Sequence, residues 1–439
     1  MKNLFKVCLL ALVLALGIGE AFGQYAWTKY AGNPVLQSGQ AGSWDDRDIY
    51  PCPVLFRDSV YHLWYTGWDG TFDWAYTRSG YARSTNGITW TKHTTPVLNV
   101  GNSGAWDSYD AEACTVLYDS AKYKMWYSGY SSSQFNTQIG YATGVDETTW
   151  TKRTNPVLGP GSSGSWDVAA VMWPYVLRSS PGGGFKMWYT GWNGSKLAGG
   201  AWINNQIGYA TATNETTWTK HPLNPVLSPG PSGSWDDSRV IYGAVVYDSA
   251  AHLYYMFYTG MNRATEVQRI GVATSSEGIN WTKYSGNPVL SPGGTGSWDT
   301  KTLLGGGVVM VRDTFRLWYT GLDANGITRF GYATSPRVPN PNGVTEGTRE
   351  LPQSCLLLQN YPNPFNPSTT IRYGLPNRSH VTLTVFNTLG QQVALLQNGE
   401  QEAGYHEVQF DGKNLSSGVY FYRIQAGDFV ATKRLLLLR

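Results

Sequence analysis

Between residues 24 and 335 the chain alternates short apolar runs with Gly, Pro, Asn and Asp turns, and the runs have strand rather than helix periodicity. The stretch that begins "DIYPCPVLF" predicts an inner strand, and Arg57–Asp58 a tight turn into "YHLWYTG". "SGYARS" predicts a third strand and "ITWTKH" a fourth, joined at Asn86-Gly87, where positive φ is tolerated. The same four-strand pattern then returns.

Its markers can be followed by position. "WTK" begins at Trp27, Trp90, Trp150, Trp218 and Trp281, spaced by 63, 60, 68 and 63 residues. A Trp-Asp pair stands at Trp44, Trp106, Trp166, Trp235 and Trp298. "WYTG" or a variant starts at Trp64, Trp126, Trp188, Phe257 and Trp318. Four-stranded antiparallel units repeated in this way predict an all-β, five-bladed β-propeller. The chain opens with a fourth strand, "AWTKY", and its fifth unit lacks one, so the N-terminal strand is expected to close the ring.

Residues 1–23 carry Lys2 and Lys6, an apolar run and small residues, which is the pattern of a signal peptide. No other segment predicts a membrane span. A net charge of +3 without basic clusters argues against nucleic acid as partner. Cys52, Cys114 and Cys355 are too few for a disulfide framework, and Cys52 and Cys114, at equivalent places in neighbouring units, are expected to be buried free thiols rather than a bridge. The six His show no metal-ligand spacing, and no nucleophile elbow, phosphate loop or dinucleotide fingerprint occurs. Calcium held by carboxylates stays open but unspecified.

Residues 336–351 are rich in Pro, Asn, Gly and Thr and read as a linker, and 352–439 predict a small Ig-like β-sandwich. Within the sandwich, "YPNPFNPSTTI", "NTLGQQV" and "SGVYFYRI…KRLLLL" resemble the type A C-terminal sorting domain of the type IX secretion system. That resemblance implies export through the periplasm and outer membrane, to the medium or the cell surface, with the secretion machinery as partner.

An Asp that follows the recurrent Trp in all five units (Asp45, Asp107, Asp167, Asp236, Asp299) is expected to be scaffold. Chemistry should break the symmetry. Four residues after that Trp stand Asp48, Asp110, Ala170, Arg239 and Thr302; six after it stand Tyr50, Glu112, Met172, Ile241 and Leu304. Positions two apart share a strand face, so both sets should surround the mouth of the central channel. Asp48, Asp110 and Glu112 are the candidate catalytic acids. Arg47, Tyr50, Trp68, Trp74, Trp173, Trp192 and Arg239 are the candidate substrate-binding residues, with loop aromatics suited to stacking on sugar rings. Asp46 and Asp237 come second.

"NPVL…GSWD", "KMWYTG" and "IGYAT…W" resemble the five-bladed propeller superfamily of arabinanases, levansucrases and invertases, families 32, 43 and 130 among its glycosidases. The resemblance implies Asp48 as base, Glu112 as acid and Asp110 as modulator in an enzyme acting on a glycan, and the exported chain is expected to be a monomer. A propeller that binds glycans without cleaving them accounts for the same asymmetry.

Overall fold

The computed structural model describes residues 25–438, apart from 71–75, 132–135, 180–182, 338–354, 358–359, 361–362 and 364. The leader, most of the linker and Trp74 lie outside the described residues. The chain divides into two compact units, Met1–Val338 and Pro339–Arg439.

In the first unit, strands Asp48–Arg57, Val60–Trp68, Arg78–Ser84 and Thr91–Lys92 form one antiparallel sheet in chain order. Three further sheets follow with inner strands Glu112–Asp119, Ala170–Arg178 and Arg239–Asp248. The fifth is completed by the N-terminal strand Thr28–Lys29 on Thr328–Pro336. Outer strands are only two or three residues long, shorter than the pattern predicts, and the ring of each "WTK" Trp packs on the preceding sheet. Trp90 meets Trp318 edge-on at 6.0 Å, Trp150 meets Trp64 at 6.1 Å, and Trp218 and Trp281 repeat the contact on Trp126 and Trp188. Trp27 closes the series on Phe257 at 5.4 Å. Such large buried rings dominate core energetics, and four of these partner indoles also donate to a backbone carbonyl of the next sheet.

The inner strands are not regular. Register shifts fall between Pro51 and Val54, Ala113 and Thr115, Met172 and Tyr175, and Ile241 and Ala244. In the fifth sheet the strand breaks into Thr302–Leu304 and Val308–Val311 around Gly305, Gly306 and Gly307. There the fifth sheet packs tightly against the first: a Cβ on Gly307 would stand 2.6 Å from Val54 N and 2.9 Å from Cys52 O. Both atoms are backbone and cannot swing aside. Gly307→Ala is therefore expected to destabilise by about 1–3 kcal/mol, read as a lower denaturation midpoint.

The second unit holds two antiparallel sheets. One orders Leu356–Leu357, Ser368–Leu375 and Gly404–Asp411; the other orders Gln392–Gln401, Ser379–Phe386, Gly418–Ala426 and Phe429–Leu437. Period-two positions such as Ile371, Tyr373, Val381, Leu383, Tyr422 and Ile424 make their shared core.

Candidate functional site

The repeated Asp is fully committed. In each sheet its Oδ2 accepts from the "WTK" Lys at 2.5–2.7 Å and from the "WYTG" Tyr hydroxyl at 2.9–3.3 Å. All five carboxylates are buried, at 2–3% exposure. This latch ties the outer strand to the second strand, as a scaffold role requires. Asp46 and Asp237 fix their loops by accepting the backbone N–H of Gly42 and Gly233.

A cavity of about 500 Å³ opens where the inner strands converge. All five residues six after the recurrent Trp line it: Tyr50, Glu112, Met172, Ile241 and Leu304. Asp110 and Arg239 join them from the set four after it, and Asp48 is not part of the wall. Trp173 and Tyr242 also face the cavity. Alternation alone puts them on the opposite strand face from Met172 and Ile241, but the bulges at these positions re-aim the side chains. Both hold left-handed backbone angles, φ 52° and 54°, which bulky residues rarely adopt. Their rings stack at 4.1 Å and 20°. The backbone N–H of Trp173 donates to Ser128 Oγ and that of Tyr242 to Thr190 Oγ1. Thr320, the equivalent residue facing the first sheet, has an unpartnered Oγ1, because Pro51 has no N–H to offer.

The three candidate acids differ in their surroundings. Thr328 Oγ1 donates to Asp48 Oδ1 at 2.9 Å, and Asp48 is buried beside Arg47. Burial pushes its carboxyl up, opposed by the Thr328 bond. Asp110 takes the equivalent place in the second sheet, alongside Thr77, yet Asp110 Oδ1 and Thr77 Oγ1 are both buried without a partner. Burial first, and then the charge of Glu112, push Asp110 well above the usual carboxylate range. Burial raises Glu112 to about 7, opposed by Trp173, whose indole Nε1–H donates to Glu112 Oε2 at 2.8 Å. Burial, with the charges of Asp48 and Glu112, keeps the Tyr50 phenol protonated far above neutrality.

The Trp173 bond favours the charged form of Glu112. Trp173→Phe keeps a ring to stack on Tyr242 and removes the donor. The Glu112 titration midpoint, followed by carboxyl-selective NMR, is expected to move above about 7; a fall would mean that the indole bond does not set it.

The aromatic candidates separate as well. Trp192 is 3% exposed, donates to Ser195 O and Ile203 O, and stacks on Trp202 at 4.5 Å. It supports Trp202, which does line the cavity, instead of offering its own face to solvent. Trp68 is buried at 8% exposure and lies outside the wall, and Arg47 is exposed beside Gly70. Sequence reasoning missed Tyr242, Tyr130, Thr77, Thr137, Glu266 and Gln268. Tyr242 has one legible signal, since it stands seven residues after Trp235, as Trp173 does after Trp166.

A smaller chamber of about 30 Å³ adjoins the cavity and shares Tyr50, Glu112, Trp173 and Tyr242 with it. Cys52 and Cys114 line the chamber as buried free thiols. Among the described residues no group of three or more His, Cys, Asp or Glu could hold a metal ion. No helix among them is long and apolar enough to cross a membrane.

Residues 359–437 match the model of a secretion system C-terminal sorting domain, which indicates a protein secreted or held at the cell surface. An uncharacterised protein of Mycobacterium tuberculosis is 27% identical over 235 residues, 52% of this chain and 72% of its own length. Among solved structures, a glycosyl hydrolase from Bacteroides ovatus superposes with a TM-score of 0.55 at 17% identity, covering 74% of this chain and 96% of its own. A member of the family 130 mannoside phosphorylases, described with hydrolases that target β-1,2 mannosidic linkages in Candida mannan, gives 0.56 at 17%, with 74% and 96% covered. A family 117 glycoside hydrolase of the marine bacterium Zobellia galactanivorans gives 0.50 at 17%, with 74% and 95% covered. At these identities the likeness is one of fold: an all-β chain similar to propeller glycoside hydrolases.

Proposed function

We propose that this chain is a secreted carbohydrate-active protein whose five sheets are the blades of a β-propeller that cleaves glycosidic bonds at its axial cavity. The Ig-like tail would carry it out by the type IX route after signal-peptide removal, to act as a monomer in the medium or on the cell surface. One observation carries the reading. Glu112, its Oε2 bonded by the Trp173 indole and its carboxyl raised by burial, stands beside Asp110 in the wall of a cavity otherwise built largely of aromatic and aliphatic side chains. A carboxyl group poised near 7 can hold a proton for a leaving oxygen and yield it in the transition state. Asp110, with a buried and unpartnered Oδ1, is the second carboxylate of the cavity. Trp202 and Tyr130 give the sugar a stacking face and a hydroxyl partner.

A second reading is glycan binding without cleavage. It is favoured by Asp110 and Glu112 coming from one sheet, while Met172, Ile241 and Leu304 at the equivalent places carry no acid. Incubating the full chain with a panel of plant and microbial polysaccharides separates the two. New reducing ends support the enzyme, and retention without release supports the binding protein. Neither release nor retention on any glycan would overturn both.

A further inference from the structure

The fourth sheet brings to the cavity wall a cation that makes no ion pair among the described residues. Arg239 is held in place by its own donors, Nη1 to Trp202 O at 3.1 Å and Nη2 to Gln268 Oε1 at 2.9 Å. Its Nε–H is buried and unpartnered. Glu266, also in the wall, acts on it through charge without pairing. Alongside, Asn205 and Ser238 are fully buried, with unpartnered side-chain polar atoms. Their backbones are locked to the same strand, Val240 N–H to Asn205 O and Asn204 N–H to Ser238 O. Burial lowers Arg239 to about 10, so it stays charged at neutral pH. A half-buried guanidinium with a fixed plane, no paired counter-charge and further Nη1 and Nη2 hydrogens beyond its two bonds is a receptor for a planar anion.

We infer that the glycan bound in this cavity is acidic, and that Arg239 reads the carboxylate of a uronic acid residue while the sugar ring fills the space toward Glu112. The inference rests on the glycan reading above and names its substrate class. A bare inorganic anion would satisfy Arg239 but leave the cavity between Trp202, Met172, Ile241 and Leu304 unfilled. An anion borne on a ring matches both parts of the wall.

The test measures binding of digalacturonic acid, its methyl ester and neutral galactobiose to the full chain by calorimetry, for wild type, Arg239→Gln and Arg239→Lys. The acid is expected to bind about ten-fold tighter than the ester or more, since charged hydrogen bonds carry the difference. Arg239→Gln should abolish that preference and Arg239→Lys should keep part of it. Thermal melting checks that the variants fold. Should Arg239→Gln fail to fold, Glu266→Gln serves instead, by removing an opposing charge and tightening the acid alone by about two-fold. Equal binding of acid and ester overturns the inference and leaves the glycan reading standing. So does tight, Arg239-dependent binding of inorganic phosphate or sulfate without the acid, or a polysaccharide panel in which only neutral glycans are retained. A panel in which no glycan binds at all removes the glycan reading and this inference together.

Discussion

Glu112→Gln is expected to lower sugar release by about 10²–10⁴-fold, the contribution typical of a positioned acid. Gln keeps the size of the side chain and can still accept the Trp173 indole bond through its carbonyl oxygen, so the stack on Tyr242 and the cavity wall should survive. What disappears is the transferable proton. The sign of the pH dependence follows from the same side chain. A leaving-group acid works while protonated, and burial holds Glu112 protonated up to about pH 7. Wild-type release should therefore persist on the acidic side and decline as pH rises through about 7, while residual activity of the variant loses that limb. Asp48→Asn is the informative companion: with its Oδ1 taken by Thr328 and its place outside the wall, its loss should fall well short of that at Glu112. A larger loss at Asp48 would move the acid to the first sheet.

Lys29→Met should be the most damaging of the five equivalent Lys→Met changes, costing about 2–3 kcal/mol. Each Lys pairs with a buried Asp, and removing it leaves a carboxylate at 2–3% exposure with hydroxyl partners but no counter-charge. Partial exposure of the Lys keeps the figure below that of a fully buried pair. Lys29 differs in what it closes. It sits on the two-residue strand Thr28–Lys29 and reaches Asp299, 270 positions away, whereas Lys92 reaches Asp45 within its own sheet, 47 positions away. Loss of the Lys29 latch weakens the seam between the chain's beginning and its fifth sheet, so edge pairing is lost along with the ion pair. Chemical denaturation of Lys29→Met and Lys92→Met side by side gives the comparison. Equal losses would mean that the Lys29 latch adds nothing beyond the backbone pairing on Thr328–Pro336 and the Trp27 packing.

Much of this arrangement is legible in the residues. Spacing of the Trp-Asp and "WTK" words delivers the sheets, and recurrence delivers the scaffold role of the Asp, though not its Lys and Tyr partners, which only the packed structure shows. Repeat position placed Tyr50, Glu112, Met172, Ile241 and Leu304 together, and they do meet in one wall, whereas the rule that residues two apart share a face brings only Asp110 and Arg239 of the earlier set to it. The rule fails one residue later. Bulges carry Trp173 and Tyr242 into the same cavity, and their left-handed backbones belong to no pattern of alternation. Asp48 and Asp110 have the same place in their repeats and look alike in sequence. They differ because Thr328, 280 positions from Asp48, bonds its carboxylate, while Thr77 beside Asp110 does not. Trp192 and Trp202 share one loop, and only the packed structure tells the supporting ring from the lining one.

The most direct test of the central claim is a crystal structure of Glu112→Gln bound to an oligosaccharide that the full chain retains. A sugar is expected in the axial cavity, with a glycosidic oxygen within hydrogen-bond reach of residue 112, about 2.6–3.2 Å, and a ring against Trp202. A sugar bound on the outer surface of the sheets, with the axial cavity left to solvent, would contradict it.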